Sequence, residues 1–111
     1  MPKPLNILAG TLELLVMQTL AATELHGFEI LDALRRATDD ALVVEEGALY
    51  PALHRMEKRG WLAADWAVSE KGRRAKYYRL TSKGRTALAR AQREWERYVD
   101  AVAKVAQASA G

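Results

Sequence analysis

Two strand-like runs lie close together in the middle of this 111-residue chain, with helical patterning on both sides. In residues 61–68 aromatic and branched residues recur at strand-like intervals, and residues 75–80 alternate with period 2. The polar, glycine-containing stretch between them predicts a β-hairpin with a basic tip. Tyr78 and Leu80 are expected to face inward. Lys76 lies on the same face of the strand as these two residues, so its ammonium group must reach the strand end or solvent.

Three short helices are predicted before the hairpin, at about residues 11–23, 27–37 and 47–59, because apolar residues recur there at helical spacing. The first helix is apolar around more than one stripe, which indicates two buried faces. In so small a domain the second face suggests a partner subunit. His26 interrupts the pattern and is expected to cap or pack against the second helix.

The third helix has an apolar stripe and an opposite polar face. Leu49 and Leu53 lie on the predicted buried side. Because proline lacks an N–H, Pro51 is expected in the first turn, with the helix starting near Ala48. Gly60 is well placed to stop this helix. The face opposite the stripe consists of Tyr50, Pro51, His54, Arg55 and Lys58.

One long helix is predicted after the hairpin, capped by Thr81 or Ser82 and continuing to about Ala108. Gly84 is expected to weaken its start by roughly 1 kcal/mol relative to alanine. At about 1.5 Å per residue the helix reaches roughly 40 Å, further than so small a globule can cover. Either its end is solvated or a second chain covers it. Its apolar residues repeat every seven positions, as Leu88, Trp95 and Val102 and as Ala91, Tyr98 and Val105.

Charge is distributed unevenly along the chain. The net charge is +3, but the first 60 residues carry 6 basic and 9 acidic residues, and the rest carry 11 basic and 5 acidic ones. Residues 71–85 contain seven cations and no acid. Such clustering favours a polyanion as partner, because grouped Lys and Arg side chains neutralise phosphates. The alternative is a solvated face, which most charge runs form.

The order of elements predicts a mainly α protein with a small β-hairpin: a winged helix-turn-helix followed by one long C-terminal helix. In this fold the third helix enters the major groove of double-stranded DNA, and the hairpin is a wing that reaches flanking phosphates or the minor groove. The alternative is a winged-helix module that binds protein rather than specific DNA. The predicted DNA-binding side chains are Tyr50, Pro51, His54, Arg55, Lys58, Lys71, Arg73, Arg74 and Lys76.

Other functions have little support in the residues. The chain has no cysteine, which excludes disulfides and thiol catalysis. His26 and His54 have no evident third ligand for a metal. No phosphate loop or nucleophile with an acid–base partner is present, so neither an enzyme nor a cofactor is expected. The longest apolar stretch, residues 14–17, is far below the roughly 20 residues that cross a bilayer, so a cytoplasmic protein without a membrane partner is expected.

The three tryptophans have different expected roles. Trp95 lies in the middle of the seven-residue repeat, where a two-fold partner would bring a second copy nearby. It can anchor an interface between subunits or form an aromatic wall for a flat apolar ligand, and both roles can hold. Trp61 and Trp66 are expected to pack in the hairpin and the core.

Five segments, residues 10–15, 26–30, 46–57, 60–62 and 72–81, together resemble the PadR family of bacterial transcriptional regulators over nearly the whole chain. The single long C-terminal helix resembles that of the small subfamily. The resemblance implies a homodimeric repressor with a winged helix-turn-helix in residues 1–80 and a dimerisation helix in residues 81–111, as one compact unit. The interface between subunits would then comprise Leu12, Leu15, Val16, Leu88, Trp95, Tyr98, Val102 and Val105.

The resemblance also implies a ligand and a form of operator. Some small members of the family bind planar hydrophobic molecules between their last helices, which gives Trp95 an effector-binding role. A two-fold dimer predicts a near-palindromic operator with half-sites about 34 Å apart. Ala48 stands where many relatives carry Ser or Thr, and Phe28 where Tyr is frequent. The backbone N–H groups of Gly47 and Ala48 remain candidates for DNA contact.

Overall fold

The computed structural model describes residues 3–110; Met1, Pro2 and Gly111, which the predicted domains include, lie outside the described residues. The fold is four helices with a small antiparallel sheet, which confirms the predicted architecture and adds one short strand. The elements are α1 (Leu12–Leu20), β1 (Leu25–His26), α2 (Gly27–Ala37), α3 (Glu46–Lys58), β2 (Leu62–Val68), β3 (Arg74–Leu80) and α4 (Ser82–Ala110).

The sheet has the order β1-β3-β2, and both neighbouring pairs are antiparallel. Strands β2 and β3 form the predicted hairpin, with Leu62 opposite Leu80 at its base and Val68 opposite Arg74 near its tip. Strand β1 pairs only Leu25 with Tyr78 and His26 with Tyr77. Two residues are too short a run to show a period of two, so the sequence pattern does not reveal this strand.

The core lies between the first three helices, the base of the hairpin and the first turns of α4. Tyr78 and Leu80 point into it, as their parity predicts, with 6% and 7% of their surface exposed. Burial of this apolar surface is the main force that holds the elements together. Its largest fully buried side chains are Val16, Met17, Leu20, Ile30, Leu49, Leu53 and Met56.

Helix α3 starts two residues before the predicted position. The carbonyl of Glu45 accepts hydrogen bonds from the N–H groups of Ala48 and Leu49, so the helix begins at Glu46 and Pro51 is its sixth residue. The expected place of Pro51 in the first turn is therefore wrong. Proline is tolerated here because Gly47, whose carbonyl loses its partner, is exposed and can bind water.

The end of α3 is the glycine stop that the sequence predicts. Gly60 has a φ of +78°, a conformation that glycine adopts without strain. Its N–H donates to the carbonyl of Glu57, and the N–H of Trp61 donates to that of Met56. These two bonds form a Schellman motif, which turns the chain directly into the hairpin.

Helix α4 is capped by Thr81, whose Oγ1 accepts from the N–H of Gly84 at 3.0 Å and donates to the carbonyl of Gly60 at 2.6 Å. Gly84 is buried, and a Cβ there would lie 2.9 Å from the carbonyl carbon of Trp61 and 2.8 Å from Cδ1 of Leu80. The expectation that Gly84 only weakens the helix is wrong, because its missing side chain lets α4 approach the hairpin closely.

Candidate nucleic-acid interface

The outer face of α3 is exposed because the opposite stripe is buried. Leu49, Leu53 and Met56 have no exposed surface, which fixes the rotation of the helix about its axis. Within residues 3–110, no carboxylate lies within ion-pair distance of Arg55 or Lys58. The predicted residues exposed on this side of α3 are Gly47, Ala48, Tyr50, Pro51, His54, Arg55 and Lys58.

Tyr50 lies at the inner edge of this face, next to the start of α2. Its side chain is 41% exposed. Partial burial raises the pKa of the phenol, and the negative charge of Glu46 raises it further. The hydroxyl therefore stays protonated at neutral pH and can donate a hydrogen bond as well as accept one.

The tip of the hairpin carries three predicted contact residues, Lys71, Arg73 and Arg74, all exposed. None of the three has an ion-pair partner in the described part of the chain. The guanidinium of Arg74 lies over the ring of Trp66, 5.0 Å from its centre. Trp66 is 59% exposed, so its expected packing in the core is wrong. Trp66 lies on the same face of the sheet as Leu62, but this part of the hairpin extends beyond the core.

Lys76 differs from the other cations of the hairpin. Its Nζ donates to Oε1 of Glu57 on α3 at 3.0 Å and lies 5.4 Å from the centre of the Tyr78 ring. The hydrogen bond with Glu57 is the main cause that raises the pKa of Lys76. The ammonium keeps access to solvent, as predicted, and it also pairs with a carboxylate because α3 lies beside this face of the sheet.

A cleft of about 910 Å³ separates α2 from the hairpin. It brings together Tyr50 from α3 and Lys71, Arg73 and Arg74 from the hairpin, whereas His54, Arg55 and Lys58 lie outside its lining. Its walls also include Phe28 and Trp66, two exposed rings that sequence reasoning did not assign to the interface. In the sequence, the distance of Trp66 from the base of the hairpin indicates that its ring lies beyond the core.

The second half of α4 presents an apolar row to solvent. Trp95 and Tyr98 stack with their ring centres 6.2 Å apart and their planes 13° from parallel. Val102 and Val105 continue the row and are 53% and 67% exposed. A shallow groove of about 650 Å³ runs beside Tyr98, Val102 and Val105.

Two residues predicted at an interface between subunits are instead inside this chain. Val16 has no exposed surface and Leu88 only 7%, so both side chains pack in the core of this chain and offer a partner almost no surface. This corrects the interface prediction at both positions. Leu12 and Leu15 of α1 are only partly buried and keep surface that a second chain can cover.

His26 caps α2, as expected. Its Nδ1 accepts from the N–H of Glu29 at 3.4 Å, and Oε1 of Glu29 accepts from the N–H of His26 at 3.0 Å.

Residues 3–110 contain no group of three or more His, Cys, Asp or Glu side chains able to hold a metal ion. Over the same residues, none of the helices combines the length and the apolar character needed to cross a membrane.

Helix α3 with the helices before it, the hairpin and the long last helix define a winged helix-turn-helix protein. The family model for the transcriptional regulator PadR-like family matches residues 16–90. The chain therefore belongs to the PadR-like family, whose members are transcriptional regulators and not enzymes.

Relatives and solved structures agree with this assignment. Transcriptional regulator Rv3488 of Mycobacterium tuberculosis is 36% identical over 73% of this chain and 72% of its own length. A transcriptional regulator from Clostridium thermocellum superposes with a TM-score of 0.79, at 29% identity over 86% of this chain and 92% of that one. A PadR-like transcription factor from Bacteroides fragilis superposes with a TM-score of 0.71, at 32% identity over 86% of this chain and 90% of that one.

Proposed function

We propose that this protein is a homodimeric DNA-binding repressor that recognises a near-palindromic operator. The observation that carries the proposal is the exposed outer face of α3, with Arg55 and Lys58 free of carboxylate partners in the described chain, together with a hairpin tip that carries three further unpaired cations. In a family of transcriptional regulators, this arrangement is suited to a duplex, because one element can enter a groove while the other meets phosphates.

Helix α3 is the reading element in this proposal. The major groove admits a helix, and the outer face then presents hydroxyl, imidazole and guanidinium groups to base edges and phosphates. Tyr50, His54 and Arg55 are the candidates for base contacts, and Lys58 for a phosphate. Gly47 and Ala48 have almost no side chain, so the first turn can approach the DNA closely.

The hairpin is the wing that holds the flanking backbone. Lys71, Arg73 and Arg74 supply charge to phosphates, and the ring of Trp66 keeps the Arg74 guanidinium in place. Lys76 contributes less charge to DNA than predicted, because Glu57 already offsets it. Its ion pair instead ties the wing to α3, so that the two DNA-facing elements keep a fixed relative position.

Dimerisation in the proposal follows from the surface that one chain leaves uncovered. Two copies are joined through Leu12 and Leu15 of α1 and through the row Trp95, Tyr98, Val102 and Val105 of α4. Apolar surface of this extent, arranged along one helix, favours a partner chain over water. Residues 1–80 then act as the DNA-binding unit and residues 81–111 as the dimerisation helix, in a cytoplasmic protein.

A planar hydrophobic molecule is proposed as effector, held between the last helices of the two copies. The stacked Trp95 and Tyr98 rings offer flat apolar surface of the kind that such a molecule packs against. Trp95→Ala should then weaken the binding of planar dyes, measured by the change in the fluorescence of the dye. If the variant still binds dyes with unchanged affinity, the aromatic wall lies elsewhere.

The proposal is tested by selecting bound sequences from random duplex DNA. We expect a near-palindromic consensus. Replacing Lys71, Arg73 and Arg74 by Ala should weaken binding to every sequence and reduce the salt slope by about 0.9 for each phosphate that the wing no longer neutralises. The matched control replaces Arg90, Arg93 and Lys104 on α4, which removes the same charge and should leave the slope nearly unchanged.

A protein-binding module is the second candidate, favoured by the exposed row on α4. In that case no specific complex with DNA forms at moderate salt, and the wing variant and its control behave alike. Equal slopes for the two triple variants would therefore remove the wing from any DNA interface.

A further inference from the structure

The ring of Tyr50 occupies the space in which residue 27 would place a side chain. Gly27 is buried at the first position of α2. A Cβ built on it would lie 2.8 Å and 2.9 Å from two ring carbons of Tyr50, and closer still to the hydroxyl oxygen. Carbon atoms that are not bonded do not approach this closely, so a side chain at position 27 and the present position of Tyr50 exclude each other.

The backbone on both sides of this contact is fixed. The start of α2 is held by the reciprocal hydrogen bonds between His26 and Glu29, and by the pairing of β1 with β3. The start of α3 is held by Leu49 and Leu53, which have no exposed surface. Tyr50 itself is 41% exposed and lines the cleft beside the hairpin, so its ring is the part that can move, away from α2.

We infer that Gly27 is a positioning residue for DNA recognition: its missing side chain forms the notch that holds the Tyr50 ring against α2 and so limits how far Tyr50 extends from the outer face of α3. This inference rests on the proposed function, in which Tyr50 contacts DNA. It assigns a role in sequence preference to a buried residue that lies behind the Tyr50 ring and has no side chain with which to reach a base.

Filling the notch changes the position of the phenol of Tyr50. In Gly27→Ala the methyl group pushes the phenol away from α2 and toward the space that DNA would occupy. The hydroxyl then meets a different base edge or phosphate, or blocks the approach of α3. Cations on the wing keep their places, so the electrostatic part of binding should not change.

The first test needs no DNA. Tyrosine ring resonances of Gly27→Ala are titrated by NMR, with Tyr50 assigned by comparison with Tyr50→Phe. The pKa of Tyr50, which partial burial raises in the native protein, should fall toward the ordinary value for tyrosine. An unchanged or higher pKa would mean that the ring stays in place, and would overturn the inference. Far-UV circular dichroism and thermal unfolding confirm that the variant is folded.

The second test is a double-mutant cycle on the selected duplex. Gly27→Ala should weaken binding by about tenfold, as when one base contact is removed, with the salt slope unchanged and an altered preferred base in the selected sequence. Tyr50→Ala should weaken binding to a similar extent. In the Tyr50→Ala background, Gly27→Ala should have no further effect, because there is no ring left to displace.

The outcomes separate the inference from the proposed function. Equal reductions in affinity from Gly27→Ala with and without Tyr50 would show a general structural defect and overturn the inference, while specific binding by the wild-type protein would leave the proposed function standing. Absence of any specific complex with the wild-type protein would overturn the proposed function and, with it, the role of Gly27 in sequence preference.

Discussion

The two halves of α4 carry the same seven-residue repeat in different surroundings. In the first half, Leu88 is buried and Ala91 packs against the core, and α4 touches the hairpin at Gly84. In the second half, residues 93–110 are all exposed, although Tyr98, Val102 and Val105 continue the repeat.

A periodic apolar row in a sequence therefore does not show which molecule covers it. The first positions of the row stabilise the fold of one chain. Val102 and Val105 are more than half exposed and add little to that fold, so their stabilising effect appears mainly when a partner covers them. A substitution in each half should therefore affect a different equilibrium, folding in the first half and association in the second.

Leu88→Ala should have the largest effect. It removes a buried side chain from the core and should lower the free energy of unfolding by about 3 kcal/mol. Urea denaturation at several protein concentrations measures it. Val102→Ala is the matched control and should change the stability of the monomer by less than about 0.5 kcal/mol. Equal changes in the two variants would mean that both halves belong to one core.

Gly84→Ala should also destabilise the fold, against the trend of helix propensity. Alanine is ordinarily preferred to glycine within a helix by roughly 1 kcal/mol. Here the added methyl group would press on the backbone of Trp61 and on Leu80, so we expect the free energy of unfolding to fall by about 2 kcal/mol. A higher urea midpoint for Gly84→Ala than for the wild-type protein would show that α4 and the hairpin leave room for a methyl group.

Val102→Asp should act on association rather than on folding. A charge placed in the exposed row is costly to bury against a partner, and we expect the dissociation constant of the dimer to rise about tenfold. Sedimentation equilibrium measures it, with Lys104→Ala as a control outside the row. Equal dissociation constants for Val102→Asp and the wild-type protein would exclude the exposed row of α4 from the dimer interface.

Lys104→Ala should have the smallest effect. The ammonium of Lys104 lies 3.1 Å from the carboxylate of Asp100 one turn away, and both side chains are mostly exposed. Such pairs stabilise a helix by about 0.3 kcal/mol, and salt screens them. Thermal unfolding should show a small difference in stability between Lys104→Ala and the wild-type protein at low salt, and none at high salt. Destabilisation by more than about 1 kcal/mol would mean that Lys104 makes a further contact, one that a single chain does not contain.

The sequence predicts those parts of the molecule in which a local pattern determines the structure. Leu49 and Leu53 reveal the buried side of α3 and hence its outer face, and the alternation before Leu80 reveals the hairpin. Gly60 ends α3 as predicted because the φ that it requires is a local property.

The parts that the sequence does not predict depend on contacts between distant residues. Glu57 and Lys76 form an ion pair only because the hairpin folds back beside α3. The notch at Gly27 exists because Tyr50, 23 positions further along the chain, crosses the start of α2. Val16 and Leu88 have the same apolar character as interface residues, and only the packed structure shows that the core buries them.

In the proposed dimer, two copies of this chain hold their α3 helices and wings at a spacing that fits a duplex. Hydroxyl-radical footprinting of the selected duplex tests it most directly. We expect two protected half-sites about one helical turn, or roughly 34 Å, apart, each flanked by backbone that becomes accessible when Lys71, Arg73 and Arg74 are replaced. A single protected patch, or protection that the wing variant leaves unchanged, would contradict it.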